Sequence, residues 1–109
     1  MHFYIEILGL KILNEVYRPD RDSYKLDLAV NGLYQIELFS FPDPPVRVSR
    51  PEARGLRHIA FEVDDLIASV HELNIKGVIT EEIRRDEFTG KRFVFFSDPD
   101  GLPIELYES

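Results

Sequence analysis

Apolar and polar side chains alternate along three short segments in the first half of the chain, the pattern of half-buried β-strands. The predicted strands cover residues 11–17, 25–30 and 34–39. Asn31-Gly32, between the last two, is a strong signal for a tight hairpin. Residues 1–8 show helical spacing instead and are followed by Gly9, which predicts a short amphipathic helix ending there.

The second half predicts one helix among four strands. The strands are expected over residues 55–63, 78–85, 91–97 and 102–107. Asp64-Asp65 supplies an N-cap and early negative charge for a helix over residues 66–74, which Lys76-Gly77 ends. The sequence Asp-Pro-Asp-Gly at 98–101 then turns the chain into its final strand.

The two halves repeat one order of elements. The second reads β-α-β-β-β and the first α-β-β-β, so they match if the first half lacks an opening strand, which we interpret as truncation. The repeat predicts an α+β fold of paired βαβββ modules within a single domain. Module one is assigned to residues 1–40, a proline-rich linker or loop to 41–54, and module two to 55–109.

Charge and composition narrow the function classes. The 109-residue chain has a net charge of −7, which argues against nucleic acid or an anionic membrane as the main partner. It has no cysteine, so any metal must bind to nitrogen and oxygen ligands. No signal-peptide pattern opens the chain and no apolar run has the length of a membrane span, which predicts a cytoplasmic protein.

Two predicted strands each place a single carboxylate among apolar side chains, Glu37 and Glu105, and a third carries an imidazole, His58. Each can point away from the apolar face of its strand, because successive side chains alternate between faces. Taken singly, each is more often a solvent-facing or hydrogen-bonded residue. Their equivalent places in repeated modules favour a divalent-metal site instead. His71, on the predicted helix, is expected to be solvated.

The segments that carry these residues resemble, in order, signature stretches of the vicinal-oxygen-chelate superfamily, which includes glyoxalase I, bleomycin-resistance proteins and extradiol dioxygenases. The stretches are residues 3–10, Ile36-Glu37-Leu38-Phe39, residues 55–61, and residues 98–106. In detail the chain is similar to short bacterial glyoxalase-like (lactoylglutathione lyase-like) proteins. The resemblance covers essentially the whole chain and implies the paired-module fold.

The resemblance implies one divalent metal ion (Ni, Zn, Co, Mn or Fe) bound by Glu37, His58 and Glu105. The family's fourth ligand, a histidine on the opening strand of module one, would lie upstream of Met1, and His2 on the helix does not replace it. Lower metal affinity and activity are therefore expected of this chain.

The implied reaction is proton transfer at a carbon next to a carbonyl in a small substrate, free or thiol-conjugated. A glutamate would act as general base, Glu105 being the first choice and Glu37 the second. Replacement of Glu105 by glutamine is expected to abolish turnover.

Several residues are candidates for substrate binding. Gln35 and Phe39 share a strand face with Glu37, and Tyr107 shares one with Glu105, although packing against another strand explains them equally well. Three arginines near the His58 strand are suited to a carboxylate or phosphate, the alternative being a solvated loop. They are Arg50, Arg54 and Arg57.

Other functions remain open at this point. A non-catalytic dimer of the bleomycin-resistance type would bind a small molecule in an apolar groove without metal. Epimerase, thiol transferase and dioxygenase reactions also occur in the superfamily. The chain could also be an inactive folding unit. A homodimer is expected in any case, because an unpaired sheet edge favours association.

Overall fold

The structure is a computed structural model, and it describes residues 2–109. These residues form two β-sheets, one α-helix and a short π-helical turn. This is the α+β architecture that the repeat predicts. The chain divides into two compact units, Met1–Pro45 and Val46–Ser109. Each unit is described by itself below.

The first unit opens with a π-helical turn and continues as an antiparallel sheet. The turn covers Phe3–Ile7, and the Leu8 N–H donates to the Phe3 carbonyl, five residues back, at 3.0 Å. Gly9 then leaves the helix with a φ of +74°, as the sequence predicts. The strands follow in spatial order: β1 (Lys11–Arg18), β2 (Ser23–Val30) and β3 (Tyr34–Phe39).

A tight turn fixes the register of β2 against β3. Asn31 and Gly32 both have positive φ, +53° and +70°, the combination that a primed hairpin turn requires. Leu26 lies opposite Leu38, and these residues share the buried face of the sheet with Leu28. The side chains between them therefore point to the other face.

The second unit has the order β-α-β-β-β. Its elements are β4 (Ile59–Val63), α1 (Leu66–Ile75), β5 (Arg84–Arg85), β6 (Arg92–Ser97) and β7 (Pro103–Glu108). The strands lie in the order β4-β7-β6-β5, with β4 parallel to β7 and the other pairs antiparallel. The N-cap prediction is confirmed, since the Ala68 N–H donates to Asp65 Oδ1 at 3.0 Å.

Helix α1 covers one face of this second sheet. Leu66 and Leu73 are its buried residues, and the sheet buries Val94, Phe96, Ile104 and Leu106. These positions alternate along β6 and β7, so the residues between them form the opposite face. That opposite face carries Glu105.

Two element boundaries differ from the prediction. The strand expected over 55–63 begins only at Ile59, because the Arg47 guanidinium takes the carbonyls of Leu56 and Arg57, at 2.7 and 3.1 Å. His58 therefore precedes β4 rather than lying within it.

The strand expected over 78–85 is reduced to β5. At its start the Val78 N–H donates to the carbonyl of Leu73 at 2.9 Å, which caps the end of α1 instead of joining the sheet. Before β5, the Glu81 N–H donates to the Phe95 carbonyl of β6 at 2.8 Å.

Candidate functional site

His58 and Glu105 lie side by side at the start of the parallel strand pair. His58 Nε2 is 3.2 Å from Glu105 Oε1. Ile59 pairs with Ile104 and Ala60 with Glu105, so the residue that precedes β4 reaches Glu105 on the same face. The Glu105 side chain is 14% exposed and that of His58 is 41% exposed, so the pair is reachable from solvent through the imidazole.

This separation is compatible with two chemical states of the pair. It suits a hydrogen bond between imidazole and carboxylate. It also fits two ligands of one ion, because metal bonds of about 2.1 Å place neighbouring ligand atoms about 3.0 to 3.4 Å apart. The donor set, one imidazole nitrogen and one carboxylate oxygen, matches the divalent ions named above.

Aromatic rings surround the pair. The Phe95 ring meets the His58 ring edge to face, with centroids 5.2 Å apart. Phe93 lies next along the same face and stacks on Tyr107, with an interplanar angle of 9° and centroids 6.3 Å apart. The Arg84 guanidinium carbon lies over Phe93, 5.0 Å from the centroid. Glu105 therefore stands on an aromatic surface with a cation at one end.

Tyr107, one of the predicted substrate-binding residues, has its hydroxyl held by the β5–β6 turn. It donates to Asp86 Oδ2 at 2.8 Å and shares a hydrogen bond with Thr89 Oγ1. Asp86 also accepts the N–H of Phe88 at 2.8 Å, and that bond is the main cause of a lowered pKa of Asp86, with Tyr107 second. An ionised Asp86 thus ties the turn to the ring.

Glu37 belongs to the first unit, where its carboxylate meets a lysine. Lys25 Nζ lies 3.3 Å from Glu37 Oε1 and 3.4 Å from Asp27 Oδ1. The hydrogen bond to Glu37 is the largest cause of a raised pKa of Lys25. Asp27 Oδ1 is buried and has no other polar partner within residues 2–109. Two carboxylates and one ammonium thus share the polar face of this sheet.

Gln35 and Phe39 lie on that face with Glu37, as strand alternation predicts. Phe39 carries the guanidinium of Arg18 over its ring, 4.8 Å from the centroid.

The three predicted arginines lie in the irregular segment before β4. Arg57 Nη2 donates to the Ser49 carbonyl at 3.0 Å, and Arg50 pairs with Glu52 at 3.5 Å. Arg54 is exposed. Arg57 therefore braces this loop, and Arg50 has an acidic neighbour of its own.

The structure adds side chains that sequence reasoning missed. Lys25 and Asp27 share a face with Glu37 because Val30 pairs with Tyr34 across a three-residue loop, whereas a two-residue loop at Asn31-Gly32 would set Asp27 opposite Ile36. Arg84 and Phe93 flank the Glu105 pair through the pairing of β5 with β6, which the sequence does not reveal. Arg18 comes to Phe39 at the far end of the sheet from the hairpin turn.

The described part of the chain contains no group of three His, Cys, Asp or Glu side chains arranged to hold a metal ion. The two-residue group His58–Glu105 is the arrangement that the second unit provides. Among the same described residues, no helix is long and apolar enough to cross a membrane.

Comparison with known proteins places these features in a family. Residues 1–106 match the Glyoxalase/Bleomycin resistance protein/Dioxygenase superfamily. The uncharacterized protein YwkD of Bacillus subtilis (strain 168) is 62% identical over 106 residues, which are 97% of this chain and 83% of that protein.

Two solved structures have the same fold. A glyoxalase family protein from Enterococcus faecalis is 47% identical with a TM-score of 0.92, covering 98% of this chain and 84% of that one. The antibiotic binding protein TnmS3 from Streptomyces sp. CB03234 is 25% identical with a TM-score of 0.74, covering 98% and 81% of the two chains.

Proposed function

Because the chain belongs to the glyoxalase/bleomycin resistance/dioxygenase superfamily, we propose that it is a metal-dependent lyase or isomerase of the glyoxalase I type. It would move a proton at a carbon next to a carbonyl in a small substrate. The single observation that carries the proposal is the His58–Glu105 pair, with 3.2 Å between Nε2 and Oε1, on an aromatic face open to solvent.

In this proposal His58 and Glu105 hold a divalent ion, and Glu37 is a further ligand. When bound, the ion supplies electrophilic stabilisation of negative charge that develops on substrate oxygen. The assignment of Glu37 rests on the repeat and on the family resemblance. The donor types at these three positions, imidazole and carboxylate, agree with such an ion.

Glu105 is the proposed general base. Its carboxylate is 14% exposed and lies beside the His58 imidazole, at the open side of the pair. Phe93, Phe95 and Tyr107 form the apolar wall along which the substrate carbon would approach. Glu37 is the second candidate for the base.

Metal content and turnover test the proposal together. The protein is loaded with Ni, Zn, Co, Mn or Fe in turn, and bound metal is measured by elemental analysis after dialysis. We expect His58→Ala to lower metal affinity at least about tenfold. His71→Ala, which removes an exposed histidine from α1, is the matched control and should bind metal like the parent protein.

The base is tested with the metal-loaded protein and hemithioacetals of methylglyoxal with several thiols. Glu105→Gln should abolish turnover without changing the thermal midpoint by more than a few degrees, and Glu82→Gln, at an exposed position, should leave turnover intact. Retained turnover in Glu105→Gln would refute the role of this carboxylate.

A second candidate function is non-catalytic binding of a small molecule by a homodimer. Its support is the likeness to the antibiotic binding protein TnmS3 together with the aromatic face of the second sheet. Absence of bound metal in every loading experiment, combined with saturable quenching of tyrosine fluorescence by an aromatic ligand, would favour it over the isomerase.

A further inference from the structure

A guanidinium stacks on two phenyl rings at one end of the polar face of the first sheet. The Arg18 guanidinium carbon lies 4.8 Å from the centroid of Phe39 and 5.8 Å from that of Phe41. The two rings are nearly parallel, with an interplanar angle of 13° and centroids 6.3 Å apart. Stacking of this kind holds the guanidinium in place while its edge stays available for hydrogen bonds.

Few of the hydrogen-bond donors of Arg18 are used by the protein. Nη2 donates to Ser23 Oγ at 2.9 Å, and the Ser23 hydroxyl donates in turn to the Ser40 carbonyl. Nε is buried, and nothing within residues 2–109 accepts a hydrogen bond from it. A guanidinium has five N–H donors in one plane, so several remain for an acceptor from outside.

Arg18 also has no carboxylate partner. The chain has 20 acidic residues against 13 basic ones, yet none of the acidic residues in the described part of the chain forms an ion pair with Arg18. Lys25, by contrast, meets two carboxylates on the same face, so the acidic side chains there lie beside Lys25 and not beside Arg18.

We propose that Arg18, with Phe39 and Phe41, forms a subsite for an oxyanion, a carboxylate or phosphate carried by a small molecule. The free edge of the guanidinium presents paired donors that match two oxygens of such a group. The two rings, 45% and 48% exposed, offer an apolar surface to the rest of the molecule.

The register of the sheet relates this subsite to Glu37. Lys25 pairs with Phe39 and Asp27 with Glu37, so Phe39 is one same-face step from Glu37 along β3, about 7 Å. If the proposed function holds, on which this step rests, the substrate is an anionic carbonyl compound.

Anion binding tests the subsite without metal or turnover. The side-chain Nε–H resonance of Arg18 in ¹⁵N-labelled protein is followed by NMR during titration with inorganic phosphate and, separately, with benzoate. We expect a saturable shift with at least one of them, and the tighter one identifies the oxyanion. Arg18→Gln and Arg18→Lys lack that resonance, so their titrations follow the backbone amide resonances of Ser23 and Ser40. Each variant should weaken binding at least about tenfold, the second because an ammonium lacks the planar donor pair.

Arg21→Gln is the matched control, because it removes the same charge from an exposed arginine in the turn that follows β1. It should weaken binding less than about twofold. Equal weakening by Arg21→Gln, full binding in Arg18→Lys, or no saturable shift with either anion would each overturn the proposal. Should Arg18→Gln fail to fold, the anion affinity of Arg18→Lys and the shift of the Arg18 resonance in the wild-type protein decide whether the subsite exists.

The outcomes separate this subsite from the proposed function. A protein that binds no metal and turns over no substrate can still show the Arg18 shift, which would leave the subsite standing alone. Conversely, loss of the shift with intact metal content and turnover would remove the subsite and keep the enzyme. If both hold, Arg18→Gln should raise KM for anionic carbonyl substrates and leave KM for neutral ones unchanged.

Discussion

Asp27 and Glu37 face each other directly across β2 and β3, and the ammonium of Lys25 lies within 3.4 Å of a carboxylate oxygen of each. Facing carboxylates repel each other, so Lys25 stabilises this part of the sheet. A neutral side chain at position 25 should therefore cost folding free energy.

We predict that Lys25→Met lowers the free energy of unfolding at pH 7. The pKa of Lys25 is raised above its ordinary 10.5, chiefly by Glu37, so its contribution is complete below that pH and is lost as pH rises through the folded-state value. Urea unfolding at a series of pH values measures this. Lys11→Met, at an exposed position, is the control, and an equal loss there would show that only net charge matters.

Arg92 and Glu108 form a bidentate pair whose effect should disappear in acid. Arg92 Nε lies 3.1 Å from Glu108 Oε2 and Nη2 lies 3.1 Å from Oε1, and the Arg92 N–H also donates to the carboxylate. The side-chain bond to Arg92, and then its backbone N–H, hold the pKa of Glu108 below its ordinary 4.5.

The contribution of this pair is present above pH 4.5 and lost as pH falls through the lower folded-state value. Glu108→Gln should thus destabilise the protein at pH 7, and the loss should shrink as pH falls below 4.5. Thermal unfolding across that range measures the difference, with Glu87→Gln as the exposed control. A cost that is independent of pH would exclude the ion pair as its source.

The contact between Asp86 and Tyr107 should appear as coupling between two mutations. Tyr107→Phe and Asp86→Ala each break the same 2.8 Å hydrogen bond, so the double variant should lose less than the sum of the single losses. Chemical denaturation of the four proteins measures the coupling free energy, which we expect to be clearly above zero. Tyr34→Phe, at an exposed tyrosine, paired with Asp86→Ala should show none.

Replacement of Ile104 tests how tightly the core packs on the side of the second sheet opposite Glu105. It is 0% exposed and precedes Glu105 in β7, with its side chain on the face that α1 covers. Ile104→Ala should lower the free energy of unfolding by about 2 to 5 kcal/mol. Ile79→Ala, at a position 90% exposed, should change it by less than about 0.5 kcal/mol. A small loss for Ile104→Ala would mean that the surrounding side chains close the cavity.

The fold could be predicted where its signals are local. Strands β1 to β3 follow from alternation and from Asn31-Gly32, whose positive φ angles come from residue types that adopt them readily. The start of α1 follows from Asp65, whose side chain caps the N-terminus of the helix. The sequence-based prediction failed at the start of β4, where a distant arginine takes two carbonyls that alternation would give to the sheet.

The sequence predicts the ionisable residues of the candidate site better than it predicts the side chains around them. The sequence predicts Glu37, His58 and Glu105 as one set, and of these the structure brings His58 Nε2 within 3.2 Å of Glu105 Oε1. The stacked rings and cations beside them depend on strand order, since Arg84 meets Phe93 only because β5 pairs with β6. Propensity along the chain carries no information about that order, and Arg18 was overlooked for the same reason.

The parallel pairing of β4 with β7 has a consequence for how the second unit folds. The two strands lie near opposite ends of that unit in sequence, so joining them closes its longest loop and costs the most chain entropy. The antiparallel neighbours β6 and β7 need only a short turn and can form earlier. We therefore expect the contact between His58 and Glu105 to form after the β6–β7 pair during folding.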